Sequence, residues 1–251
     1  MNKPQIPWLQ PAEEFPPAHL AWGPHDPAPG LLAAGGRLDV QTLTRAYRSG
    51  IFPWFSNNQP VLWWSPDPRM VLPVAEFRLH RSLRKTLQRF AADPRCVLRV
   101  DHDFHAVISA CALTPRQGQS GTWILPAMVR AYQAFHARGY AHSVETWIDG
   151  QLAGGLYLVA IGRAVFGESM FSHQDNASKI ALAALVAICR AHGVALIDCQ
   201  QNTSHLASLG GREMQREEFL RRMLPQCDAD AIRWHFEPVY WKHIFNVEPS
   251  A

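Results

Sequence analysis

The stretch AHSVETWIDGQLAGGLYLVAIGRAVFGESMFS, residues 141–172, decides the fold. Asp149-Gly150 stands between two apolar, β-branched and aromatic runs. Both central residues of a tight hairpin turn need positive φ, so Asp-Gly there is a strong hairpin signal. Strands are expected over Ala141–Ile148 and Gln151–Ala160. Gly162-Arg163 offers a second turn into Ala164–Gly167. Three antiparallel strands therefore follow one another.

Downstream, Asp175 or Asn176 can cap a helix over Ala177–Ala191 that is apolar on nearly every side. Such a helix must be buried. Gly193 ends it, and Val194–Cys199 reads as a buried strand. Upstream, helices are expected over Arg81–Phe90, Phe104–Ala112 and Pro126–Arg138, with a strand over Cys96–Val100. Asp39 can cap a short helix, Val40–Ser49, which Gly50 stops. Residues 1–30 hold eight of the nineteen prolines and read as extended chain. The loop IFPWFSNNQPVLWWSPDPR, residues 51–69, borders a small N-terminal unit. The fold expected is mixed α/β, with a small domain over 1–68 and a larger one over 69–251.

Composition narrows the function classes. The chain has 251 residues, 47% hydrophobic and 18% charged, enough for a sizeable core. A net charge of +3 is too small to indicate nucleic acid without local clustering. Five cysteines without CxxC spacing fit reduced thiols in the cytoplasm better than a disulfide framework or zinc site. The longest apolar run, Ile180–Cys189, is far short of the ~20 residues of a membrane span. No dimer stripe is visible, so a monomer is expected.

Four features can carry chemistry. Arg81, Lys85 and Arg89 stand at i, i+4 and i+8 on one helix face with Arg84 beside them. Unrelieved like charge suits a polyanion, although a solvated face has the same pattern. Aromatics in GIFPWF, LWWSPDPR and Thr122-Trp123 can stack on unpaired bases, or simply pack the small unit onto the larger. Glu168 in GESMFS lies in an apolar strand, where a carboxylate needs a partner or a task. In LIDCQ, period-two geometry puts Asp198 and Gln200 on one side of the strand and Cys199 on the other. An acid beside an amide suits an amine and a developing oxyanion; a buried acid paired to Arg would account for Asp198 equally well.

Three motifs are set aside. DHDFH, residues 101–105, lacks the i, i+4 histidines of a zinc helix, so no metal is expected. Nothing marks Cys199 as an activated thiol. The run RAHGVA, residues 190–195, matches the glycine pattern of a coenzyme A cradle, but lies at a helix C-terminus where no amides face a pyrophosphate.

Taken together, GLLAAGGRL (30–38), AYRSGIFPWF (46–55), LWWSPDPRMVL (62–72), GTWI (121–124), HSVETW (142–147), GGLYLVAIG (154–162), FGESMFS (166–172), NASKIAL (176–182) and LIDCQ (196–200) resemble the leucyl/phenylalanyl-tRNA–protein transferases. The resemblance implies a small N-terminal domain and a larger one with an acyl-CoA N-acyltransferase-like fold. It implies transfer of Leu or Phe, with Met as a further donor, from tRNA to proteins beginning with Arg or Lys. Those acceptors are thereby marked for degradation, without cofactor. It places Trp54 and Trp123 on the terminal adenosine of tRNA, and Glu168, Asp198 and Gln200 at the reacting centre. Leu156, Val165 and Met170 would shape the aminoacyl pocket, and Arg81, Arg84, Lys85 and Arg89 would hold the tRNA backbone. Val165 stands where the family commonly has Phe, so the expected pocket is enlarged in favour of Phe. A coenzyme A-dependent N-acetyltransferase and a non-catalytic RNA-binding protein are the competing classes.

Overall fold

The computed structural model describes residues 5–114 and 124–246. The chain begins with β1 (Trp8–Leu9), β2 (Leu31–Gly35), α1 (Val40–Arg48), β3 (Phe52–Pro53) and β4 (Leu62–Trp64). It continues through β5 (Arg69–Pro73), α2 (Arg81–Ala92), β6 (Cys96–Val100), α3 (Phe104–Leu113) and α4 (Pro126–His136). Next come β7 (Ala141–Ile148), β8 (Gln151–Ile161), β9 (Ala164–Ser172), α5 (Ala177–Ala191) and β10 (Leu196–Gln200). The last elements are α6 (Ser204–Ser208), β11 (Arg212–Met214), α7 (Arg216–Met223) and α8 (Lys242–Phe245).

The first four strands form a small sheet in the order β1-β2-β4-β3. The other seven form a second sheet, β11-β5-β10-β9-β8-β7-β6. The hairpin pairs Ile148 with Gln151 across Asp149-Gly150, whose φ values are +51° and +73°. β9 runs to Ser172, further than its sequence pattern indicates, because it pairs with β8 along its length. All neighbours in this sheet are antiparallel except β9 and β10. A parallel pair needs a crossover, and α5 supplies it. That explains its apolarity: eleven of its fifteen residues are buried.

α5 covers one face of the large sheet with Leu83, Leu87 and Phe90 of α2 and with Trp241 and Ile244. The other face carries α1, α3, α4 and α7, and its core continues into the small sheet through Leu43, Tyr47, Phe52 and Trp63. Close approach is built into the sequence at Gly50 (φ +69°), where a Cβ would lie 2.3 Å from the Leu220 side chain of α7. The β9–β10 ladder covers only Val165–Ile197 and Phe166–Asp198. Beyond those pairs lie Gly167 and Glu168 of β9 and Cys199 and Gln200 of β10, all facing a cavity.

Candidate active site

The cavity holds about 370 Å³, within the ~300–1,000 Å³ range of small-ligand sites. Its apolar part is formed by Leu156, Met170, Leu182, Leu185, Ile197 and Leu206, between the sheet and the first half of α5. Phe52 and Trp54 also line it, and its polar groups include Glu168, Ser169, Gln200, Gln201 and His205.

Glu168 occupies an irregularity in the sheet. Tyr157 pairs with Ser169 and Leu158 with Gly167, leaving Glu168 unpaired as a bulge that re-aims its side chain. Tyr47 of α1 donates its hydroxyl to Glu168 Oε1 at 2.7 Å, and Gln200 Nε2 donates to the same oxygen at 3.0 Å. Tyr132 of α4 donates to Oε2 at 3.3 Å, and the two tyrosine hydroxyls lie 2.5 Å apart. Burial pushes the Glu168 carboxyl up to about 7, aided by the nearby Asp198 charge and opposed by the tyrosine hydrogen bonds and Arg69. The carboxyl is thus divided between its two forms at neutral pH. Burial and the Glu168 charge hold both tyrosines well above their usual range, so they remain hydroxyl donors.

Of the two sequence readings of Asp198, the structure shows the buried acid paired to Arg. It is wholly buried and does not line the cavity. Arg69 of β5 donates Nε to Oδ1 at 2.8 Å and Nη2 to Oδ2 at 2.6 Å. The Arg69 guanidinium also donates to Gly50 O and lies 4.7 and 4.6 Å from the ring centroids of Phe52 and Phe219. Such enclosure engages both Asp198 oxygens with Arg69 and keeps the side chain off the cavity wall. Its remaining hydrogen bond is instructive: Oδ1 accepts the backbone N–H of Gln200 at 2.9 Å. Gln200 has φ +56° at a break in the β10–β5 register. Asp198 therefore fixes the bulge that turns Gln200 towards Glu168. The same bulge ends the period-two alternation, and Cys199 shares the cavity wall with Gln200 instead of facing away. Burial pushes the Cys199 thiol up, the reverse of activation.

Leu156 and Met170 line the cavity as the sequence indicates; Val165 does not. It is wholly buried in the core beneath α5, next to Ile197. The proposed enlargement of the pocket at this position is therefore corrected. Val165→Phe should overpack the core at about 1–3 kcal/mol, and the Leu-to-Phe ratio in a competition between equally charged tRNAs should stay within twofold. A substantial swing towards Leu would show that the ring reaches the cavity.

Trp54 lines the cavity, its ring 5.4 Å from that of Trp64, whose Nε1 donates to Trp54 O. Trp123 lies outside the described residues. Arg81, Lys85 and Arg89 are exposed on α2, whereas Arg84 is half-buried with Nη1 donating to Phe245 O at 2.9 Å. Arg84 therefore serves to pin the C-terminal segment onto α2. The two aspartates of DHDFH have structural partners: Asp103 caps α3 through Ala106 N, and Asp101 Oδ2 meets His142 Nδ1 at 2.7 Å.

Three residues of the site escaped the sequence reading: Arg69, Tyr47 and Tyr132. Arg69 carried a usable signal, as a charge opening the apolar run RMVLP. Tyr47 and Tyr132 sit on the buried faces of amphipathic helices and look like ordinary core.

A carboxyl poised near neutrality, beside an amide and above an apolar chamber, suits a site that handles an amine and an apolar acyl group. Comparison with known sequences gives that class its name, aminoacyltransferase. Residues 36–67 match the N-terminal domain of leucyl/phenylalanyl-tRNA protein transferases, and residues 71–224 match the leucyl/phenylalanyl-tRNA protein transferase family itself. The chain is 63% identical to the leucyl/phenylalanyl-tRNA–protein transferase of Polaromonas sp. over 97% of its own length and 95% of that protein's. Those of Albidiferax ferrireducens and Paraburkholderia xenovorans are 57% and 56% identical, covering 99% and 98% of this chain and 98% and 100% of theirs. The chain belongs to the leucyl/phenylalanyl-tRNA protein transferase family.

Proposed function

We propose that this aminoacyltransferase moves leucine or phenylalanine, with methionine as a further donor, from tRNA to the α-amine of proteins that begin with Arg or Lys. The transfer takes place in the cytoplasm, by a monomer, and marks the acceptor for degradation. No described helix is long and apolar enough to cross a membrane. The observation that carries the chemistry is Glu168, with its carboxyl at about 7, facing the apolar cavity beside Gln200.

The donor side chain occupies the apolar chamber between Leu156, Met170, Leu182 and Leu185. Trp54 and Trp123 hold the terminal adenosine by stacking. The donor ester is already activated, so no covalent enzyme intermediate is required, and alignment alone is worth up to ~7–11 kcal/mol. An α-ammonium has an ordinary pKa of ~7.7–8.0, within about one unit of the Glu168 carboxyl. Proton transfer from ammonium to Glu168 is therefore nearly balanced, which an ordinary Asp near ~3.9 would not allow. The neutral amine attacks the ester carbonyl and forms the N–C bond. As the C–O bond breaks, protonated Glu168 gives its proton to the departing ribose oxygen, and the carboxylate so formed takes the second proton from the attacking nitrogen and releases it to solvent. Gln200, fixed by Asp198, steadies the tetrahedral oxyanion through its amide, and Tyr47 and Tyr132 hold the carboxylate. No cofactor enters these steps.

We also read residues 69–251 as an acyl-CoA N-acyltransferase-like domain and 1–68 as a separate small one. In support, a single parallel pair, β9–β10, separates after two residues at the cavity. The direct test is incubation with Leu-tRNA and an Arg-starting peptide: a one-residue N-terminal extension is expected, and acetyl transfer from acetyl-CoA instead would favour the competing enzyme class.

Arg81 and Lys85 are assigned to the tRNA backbone. Arg81→Ala with Lys85→Ala should weaken tRNA binding whatever amino acid is attached. It should also flatten the log–log salt dependence by roughly 0.7–0.9 for each phosphate that the protein no longer neutralises. An unchanged slope would return this face to plain solvated surface.

A further inference from the structure

Helix α2, which carries the exposed cations Arg81, Lys85 and Arg89, is poorly equipped to hold itself together. It contains no Asp or Glu, and no side chain caps its N-terminus. Cations at i and i+4 repel one another, and Arg81, Arg84 and Lys85 crowd the positive end of the helix dipole. Such a face keeps its shape only if other elements hold the helix from outside.

The holds come from the C-terminal third of the chain. Ahead of the helix, His80 Nε2 donates to Ser208 O at 2.7 Å and Arg78 N to Leu209 O at 2.9 Å. Within it, Arg84 Nη1 donates to Phe245 O of α8 at 2.9 Å. Arg190 of α5 grips the same short helix, its Nη1 donating to His243 O at 2.6 Å. Its Nε and Nη2 also donate to Val74 O, at 3.1 and 2.8 Å, in the turn Val74–Glu76 that leads towards α2. Trp241 and Ile244 complete the clasp, buried in one cluster with Leu83, Leu87 and Phe90 of α2. Arg190 opens RAHGVA, the run set aside as a coenzyme A cradle, and this is its task in the fold.

We infer that Arg84, Arg190 and α8 are positioning residues for the donor tRNA. The clasp fixes where Arg81, Lys85 and Arg89 stand relative to α5, whose Leu182 and Leu185 line the cavity, and it does so without touching tRNA. This rests on the assignment of Arg81 and Lys85 to the tRNA backbone made above. Loosening the clasp leaves the reacting groups in place but frees the basic face to shift, so affinity for tRNA falls while turnover of bound tRNA does not.

The experiment measures Kd for Leu-tRNA in wild type, Arg84→Met, a chain ending at Lys242, and the two changes combined. The truncation removes both acceptor carbonyls but no Lys or Arg. Each change alone should raise Kd at least fivefold, and the combination should stay within twofold of the larger single effect, because both break one contact. A Kd unchanged by the truncation, or effects that multiply, would overturn the inference and make Arg84 a phosphate contact in its own right. Arg190→Met loosens the clasp in the full-length chain. It should raise Kd in the same way and leave the transfer rate at saturating Leu-tRNA within twofold. An unchanged Kd in this variant, with or without a lower rate, would overturn the inference and mark the clasp as purely structural. Arg81→Ala with Lys85→Ala is the reference: an unchanged Kd there would instead overturn the tRNA assignment of the helix itself.

Discussion

Glu168→Gln should reduce single-turnover transfer by about 10²–10⁴-fold, the usual worth of a placed acid–base group, and yet stabilise the protein at alkaline pH. Gln keeps the shape and can still accept from Tyr47, but cannot take a proton. The stability effect follows from the raised carboxyl, about 7 in the fold against an ordinary 4.5. A group raised in this way stabilises the fold below the unfolded value and loses that contribution as pH rises through about 7. Wild type therefore bears a buried, ionised Glu168 at pH 8, which the variant lacks. The variant should melt above wild type at pH 8, with the gap closing by pH 5. Near-normal turnover in the variant would remove Glu168 from the chemistry.

Asp198→Asn should act mainly through the fold. Removing the charge leaves the Arg69 guanidinium wholly buried without its counter-ion, and breaking such a pair costs about 3–5 kcal/mol. Transfer should fall as well, because the Gln200 N–H is held more weakly by the hydrogen bond that sets its bulge. Arg69→Met with Asp198→Leu separates the two effects. Apolar replacement of both partners commonly restores stability, so the double variant should regain most of the melting temperature while transfer stays low. Asp198→Asn melting with wild type, yet inactive, would place the carboxylate at the substrate instead.

The legible part of this molecule is local. The hairpin at Asp149-Gly150, the cap at Asp39 and the buried crossover helix α5 are each specified by residues within a few positions of one another. The site is assembled from distant positions: Arg69 meets Asp198 across 129 positions and Tyr47 meets Glu168 across 121. Period-two reading places Asp198 and Gln200 together but assumes a regular strand, and the break after Asp198 is set by pairing with β5. Resemblance names positions without telling which side of the sheet carries the cavity, so it assigns Val165 to a wall that it does not form. Motif resemblance singles out Glu168, Asp198 and Gln200 alike. Only their surroundings distinguish a carboxyl on the cavity wall, raised by burial to about 7, from a sealed ion pair.

The most direct measurement is single-turnover transfer from Leu-tRNA to a saturating Arg-starting peptide, followed from pH 5.5 to 9 in wild type and Glu168→Gln. The wild-type rate should rise with unit slope through a midpoint near 7, set by Glu168. The variant's residual rate should lose that step and follow the free amine, with a midpoint near ~8. Identical midpoints in the two proteins would contradict the assignment of proton transfer to Glu168.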